Sequence, residues 1–106
     1  MNNDSEKILA QLKRLLADKV PLYQIILFGS RARGDDASDS DMDVLVVLDV
    51  PVTRVSRDIV LDCAWEAGFD AGIVIVPIVV SHDAWENGPE HESLLAQSIR
   101  KEGIAV

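Results

Sequence analysis

Two β-branched apolar runs, Leu22 to Gly29 ("LYQIILFG") and Asp43 to Val50 ("DVLVVLDV"), are joined by only about a dozen residues, most of them polar. A parallel crossover carrying its own helix needs about that many residues for the connection alone. The two runs are therefore expected to be neighbouring strands, with no more than a short helical turn after Gly29. A third run, Ala71 to Ser81 ("AGIVIVPIVVS"), falls far short of the ~20 apolar residues of a membrane-spanning helix and reads as another buried strand. Its Pro77 cannot donate a ladder hydrogen bond, which places the run at a sheet edge or at a break in pairing.

Helical patterns surround these strands. Ile8, Leu9, Leu12, Leu15 and Leu16 share one face of a helix running to about Asp18, with Asn3 or Asp4 as its cap and Lys7, Lys13 and Arg14 elsewhere. Pro21 closes the connection to the first strand. Thr53 starts a second helix, expected to reach Ala67 and end at Gly68. Ser81 or Asp83 caps a short turn around Trp85, and Pro89 to Gly103 reads as a last helix. The order is α-β-β-α-β-α. It predicts an α/β (α+β) fold, a small mixed β-sheet with helices packed on it, as one domain over residues 1–106.

Composition narrows the partners. The 106 residues are 48% hydrophobic and 26% charged, which suits a globular chain. With 18 acidic and 10 basic residues the net charge is -8, and direct polynucleotide binding is not expected, because phosphate backbones are held by clustered Lys and Arg. A mononucleotide accompanied by a metal remains compatible, since the metal supplies positive charge. Cys63 is the only cysteine, so no intramolecular disulfide forms, and its helical position suits a small core residue. The N-terminal stretch "MNNDSEKILAQLKRL" mixes acids, bases and leucines, unlike a signal peptide. A cytoplasmic location and no membrane partner are the expectations.

The chemistry is concentrated in "FGSRARGDDASDSDMDVLVV", Phe28 to Val47, where five aspartates fall within the nine residues from Asp35 to Asp43. Gly29 and Ser30 end a strand and open a helical turn, where backbone N–H groups and a hydroxyl suit a phosphate group. A Gly-Ser pair after a strand is more often just a turn. Arg31 and Arg33 add positive charge, though either could pair with Asp35 and Asp36. Asp41 and Asp43 share one face of a strand, roughly 6 to 7 Å apart, and repel each other unless a cation lies between them. Oxygen ligands of this kind suit Mg²⁺, which takes further ligands from water and substrate phosphates. The plainer reading is a solvated acidic loop. A calcium-binding helix-loop-helix is excluded: "DSDMD" supplies its first three acids, but Val44 and Val50 stand where it needs glycine and glutamate.

Taken together, "GSRARG" at Gly29 to Gly34 and "SDMD" at Ser40 to Asp43 resemble the hallmark of the minimal nucleotidyltransferases, in the DNA polymerase beta-like superfamily. The resemblance extends over nearly the whole chain in length and element order, and is closest to the MntA-like antitoxins. It implies Mg²⁺-dependent transfer of AMP, or another nucleoside monophosphate, from ATP or another nucleoside triphosphate to a hydroxyl on a protein. Gly29 and Ser30, helped by Arg31 and Arg33, would hold the triphosphate; Asp41 and Asp43 would bind metal and serve catalysis. It also implies a small helical partner of the HEPN type, in a toxin-antitoxin pair; a chain this short, with an apolar margin at Ile73–Val80 and Trp85, is further expected to self-associate as a homo-oligomer where that partner is absent.

One part of the family pattern is not found. A third carboxylate is expected on the strand beside Asp41 and Asp43, yet Ile73, Ile75, Pro77 and Val79 on one face and Val74, Val76, Ile78 and Val80 on the other are all without charge. The third position falls near Val76. Asp70 would need a shifted register, and Asp49 is six residues past Asp43. The alternative function is therefore a catalytically weak nucleotide-binding module that docks on a HEPN-like protein. His82 and His91 have no ligand spacing and read as exposed or capping residues. Trp65 and Trp85 read as packing anchors, with Trp85 and the Ile73–Val80 strand also forming a candidate docking margin.

Overall fold

The computed structural model describes residues 3–34 and 41–106, excluding the side chain of residue 3. Helix α1 spans Asn3–Lys19, strand β1 Leu22–Phe28, the single-turn helix α2 Ser30–Arg33, and strand β2 Met42–Leu48. Helix α3 follows over Arg54–Ala71, then strand β3 over Ile75–Ser81, helix α4 over His82–Asn87, a 3₁₀ turn over Pro89–Glu92, helix α5 over Leu94–Glu102 and strand β4 over Ile104–Ala105. The sheet order is β3-β2-β1-β4. β1 runs antiparallel to β2 and β4, and β2 runs parallel to β3, so the sheet is mixed as expected.

Alternation along the strands feeds two apolar layers. Ile25 and Leu27 of β1, with Val44, Val46 and Leu48 of β2, pack against Leu9, Leu12 and Leu16 of α1 and Val60, Cys63, Ala64 and Ala67 of α3. On the other face Leu45 and Val47 meet Ile99 of α5, joined by Ile26, Phe28, Ile78, Val80 and Trp85. Central β2 is covered on both sides, which explains its unbroken apolar run. β3 is an edge strand, consistent with Pro77.

The helix boundaries depart from the sequence reading in instructive ways. α1 begins at Asn3, so Asn3 and Asp4 lie inside it rather than capping it. Thr53 does cap α3: its Oγ1 accepts from the Ser56 N–H at 3.1 Å, while the Thr53 N–H donates to Ser56 Oγ at 2.9 Å. Gly68 does not end α3; the helix continues to Ala71 and stops at Gly72, with φ 72°. Gly68 is small for another reason. A Cβ there would lie 2.6 Å from the Ile73 carbonyl oxygen, where the chain doubles back toward β3. β3 accordingly starts at Ile75, not Ala71.

Beyond β3, Ser81 Oγ accepts from the Ala84 N–H at 3.0 Å and caps α4. The expected helix from Pro89 to Gly103 is two elements, because Ser93 Oγ accepts from the Ala96 N–H at 3.1 Å and opens α5 afresh. Strand β4 was not foreseen; Ile104 and Ala105 are too few to show a period.

Candidate functional site

The site grows from the corner between β1 and β2. Phe28 pairs with Asp43 across the antiparallel ladder, so the turn after β1 lies beside the first residues of β2. Gly29 has φ 78° and ψ -158°, a backbone region open essentially to glycine alone. Space imposes the same choice: a Cβ on Gly29 would sit 2.5 Å from Asp43 Oδ2. The Gly29 carbonyl accepts from Ala32 at 3.1 Å and Arg33 at 3.2 Å, winding the chain into α2. Ser30 opens that turn, where an amide has no intrahelical acceptor to reach.

Asp43 lies between the buried Met42 and Val44, so its side chain is on the opposite sheet face, the one partly covered by α4 and α5. Asp41 shares its parity and is exposed, whereas Asp43 is half-buried. Burial first, and the Asp41 charge second, push the Asp43 carboxyl above the ordinary aspartate range. Both causes penalise the ionised form, and a cation shared by the two carboxylates would relieve both. This donor set fits a hard divalent ion that draws its remaining ligands from water and phosphate. Among the described residues, no group of three or more His, Cys, Asp or Glu side chains is placed to hold a metal on its own.

The two arginines diverge. Arg31 is buried, and its Nη1 donates to Ser5 Oγ at 3.1 Å, tying α2 to α1. Arg33 stays accessible, with Nη1 3.5 Å from Glu102 Oε2 on α5. The alternative pairing with Asp35 and Asp36, and the Ser40 of the "SDMD" motif, lie outside the described residues.

Among the described residues, no third acid joins the pair. In the parallel β2–β3 ladder Asp43 is opposite Val76, the position inferred from the sequence. Asp70 is at the end of α3, accepting from Gln11 Nε2 at 3.0 Å within the α1/α3 layer, and so belongs to the other side of the sheet. Asp49 follows the far end of β2, 3.7 Å from His82 Nδ1.

Sequence reasoning missed an apolar pocket of about 270 Å³ on the same face as the acids. Leu45 and Ile78, two residues beyond Asp43 and Val76, form part of its wall, with Val80, Trp85 and Ile99. The shared parity of Leu45, Val47, Ile78 and Val80 was its only sequence signal. A larger cleft, about 470 Å³, lies at the opposite strand ends among Asp49, Ser81, His82 and Glu86. There His82 stacks on Tyr23 with ring centroids 3.7 Å apart. Size does not make it the candidate site, because it is remote from Asp41 and Asp43.

Of the two tryptophans read as packing anchors, Trp85 is one and Trp65 is not. Trp85 packs against the α5-side core beneath the Arg100 guanidinium, which lies 4.2 Å from its ring centroid, so it is an anchor. Trp65, read as a packing anchor, is 71% exposed.

Comparison with known proteins then decides the family. The model of the nucleotidyltransferase domain matches residues 9–106. The chain belongs to that family. Its relatives include MJ0604 of Methanocaldococcus jannaschii, a protein provisionally named as a protein adenylyltransferase, 33% identical over 99 residues and matching 89% of this domain and 94% of the relative. MJ1305 of the same organism, with the same provisional name, is 40% identical over 82 residues. That match takes in 76% of this nucleotidyltransferase chain but only 54% of the relative, so the chain spans about half of MJ1305.

Among solved structures, a toxin-antitoxin bound to AMP-PNP superposes with a TM-score of 0.65 at 19% identity, covering 98% of this chain and 72% of the other. A minimal nucleotidyltransferase, itself provisionally assigned, gives 0.62 at 21% identity, covering 95% and 94%. A Shewanella oneidensis MNT antitoxin complex with a tri-AMPylated HEPN toxin gives 0.59 at 19% identity, covering 94% and 69%. These likenesses show that the nucleotidyltransferase domain has the minimal nucleotidyltransferase fold. Among the described residues, no helix is long and apolar enough to cross a membrane.

Proposed function

We propose that this nucleotidyltransferase domain binds ATP, or another nucleoside triphosphate, with Mg²⁺ and transfers AMP to a hydroxyl on a protein. The observation that carries the reading is the close approach of Gly29 and Asp43: the turn that would receive phosphate is backed directly onto the carboxylate that would hold the metal. Asp41 and Asp43 would hold the metal, and Gly29 and Ser30 the triphosphate tail, with Arg33 adding nearby positive charge. Arg31, held on Ser5, would steady the turn from behind. When bound, the metal would neutralise phosphate charge and help orient the groups that react. The chain itself would contribute positioning: a fixed turn, two acids on one face and an apolar wall beside them.

The names of the M. jannaschii relatives and the AMPylated toxin complex support a protein acceptor, and a HEPN-type helical protein as its source. A cytoplasmic setting fits that partner. A second reading is favoured by Val76: with no acid opposite Asp43, the domain binds nucleotide and partner but transfers slowly. Calorimetry with ATP, with and without Mg²⁺, tests the shared core of both readings. Wild type should bind only with the metal, and Asp41→Asn and Asp43→Asn should weaken binding at least tenfold. Equal binding by all three proteins would falsify the assignment. Transfer of labelled AMP to a co-expressed helical partner then separates enzyme from binding module.

A further inference from the structure

Helix α3 carries two apolar stripes where one is needed. Val60, Cys63, Ala64 and Ala67 face the core, as a surface helix requires. On the reverse side Leu61, Trp65 and Phe69 recur every four residues and line up along the exposed crest, Trp65 and Phe69 about 70% accessible. The two rings already touch, with centroids 5.8 Å apart. Aromatic area of this size, aligned and uncovered, is unusual on a monomer surface and typical of an interface.

The charge around the stripe says what covers it. Asp58, Asp62, Glu66 and Asp70 form a parallel ridge on one flank, again at four-residue spacing. α3 has no acid in its first turn and no base in its last turn. Arg54 and Arg57 are instead near its N-terminus while Glu66 and Asp70 approach its C-terminus, so the charges oppose the helix dipole. Asp70 is tied within the fold, accepting from Gln11 Nε2 at 3.0 Å, but a cation laid along Asp58, Asp62 and Glu66 would offset the rest of the ridge. A second copy is a poor occupant. Antiparallel two-fold pairing of α3 with itself lays acidic ridge beside acidic ridge, and parallel pairing brings both Arg54/Arg57 ends together. Two such chains also each carry a net charge of -8.

We infer that the α3 crest is a docking surface for an amphipathic helix of another protein, whose apolar residues cover Leu61, Trp65 and Phe69 and whose Lys or Arg residues lie along Asp58, Asp62 and Glu66. This surface is in the α1/α3 layer, across the sheet from Asp41 and Asp43, so it holds a partner without closing the nucleotide site. The inference does not rest on the transferase reading.

A labelled 18-residue helical peptide with leucines on one face and flanking lysines is the probe, followed by anisotropy. Wild type should bind it, with affinity falling as salt rises, while a glutamate-flanked version of the same peptide should not bind. Trp65→Ser should weaken binding at least tenfold, and Asp62→Asn/Glu66→Gln should weaken it and flatten the salt dependence, each with wild-type circular dichroism. In a Trp85→Phe background, Trp65 emission should shift to the blue on binding. Equal peptide affinity in wild type and both variants overturns the inference. So does sedimentation of the protein alone as a dimer that Trp65→Ser dissociates, since the occupant would then be a second copy. ATP calorimetry should be unchanged in Trp65→Ser; failure of wild type to bind ATP bears on the transferase reading and leaves this one standing.

Discussion

Asp43 and Val76 are partners in the parallel β2–β3 ladder, so their side chains leave the same sheet face at the same level. A carboxylate at position 76 would therefore join Asp41 and Asp43 without any backbone change. Val76 is 40% exposed, so an acid there keeps access to water. Val76→Asp should tighten Mg²⁺ or Mn²⁺ binding in the presence of ATP and raise AMP transfer by at least tenfold. Metal titration and a labelled-AMP assay check both; no change in either would place the missing ligand elsewhere.

Gly29→Ala should be among the most damaging small substitutions in the chain. It combines a glycine-only backbone conformation with a Cβ 2.5 Å from Asp43 Oδ2. Such strain costs about 1–3 kcal/mol, and relief requires Asp43 or the turn to move. Urea unfolding should show the loss of stability. ATP binding should fall as well, even at temperatures where the variant is fully folded.

Asp43 should set part of the pH dependence of stability. Its native proton affinity is raised, so the folded state holds a proton that the unfolded chain has already released. Stability should fall as pH rises from the ordinary aspartate value through the raised native one, and the deficit should persist at neutral pH. Asp43→Asn removes that penalty. Without metal it should be more stable than wild type at pH 7 and show no such advantage at pH 3, as read from urea midpoints.

Trp85→Ala should destabilise the fold by about 2–4 kcal/mol, since it opens the α5-side core and removes the ring under Arg100. The Arg100 guanidinium covers the indole at 4.2 Å, and its Nη2 donates to the Trp85 carbonyl at 2.7 Å. Arg100→Lys keeps the charge but loses the planar fork, and should cost a smaller amount, about 1 kcal/mol. Thermal unfolding of the two variants gives the ranking.

Much of this architecture was legible because periodicity and burial agree. The α1 stripe of Ile8, Leu9, Leu12 and Leu16 is buried, and Pro77 does mark an edge. What the sequence hid were decisions made by tertiary contacts. Gly68 looks like a helix stop, but only the returning chain at Ile73 reveals why it is small. Trp65 and Trp85 are chemically alike and were both read as anchors; that only Trp85 is one depends on which helix face meets the sheet. At the candidate site, the spacing of Asp41 and Asp43 was the signal that grouped them, and the Asp41 charge does act on the Asp43 carboxyl. The divergence of Arg31 toward Ser5 and Arg33 toward Glu102 was not, because it depends on how α2 packs.

The position of Asp43 between Met42 and Val44 has a consequence for folding fidelity. Shifting β2 by one residue against its neighbours would turn Asp43 inward and press its charge into the layer of Leu12, Val60 and Ala64, while carrying Met42 and Val44 to the opposite face. The misaligned hairpin is thus penalised by the same residue proposed to bind metal. An Asp43→Leu chain would lose that safeguard, and slipped pairings that the native sequence rejects would become competitive during refolding.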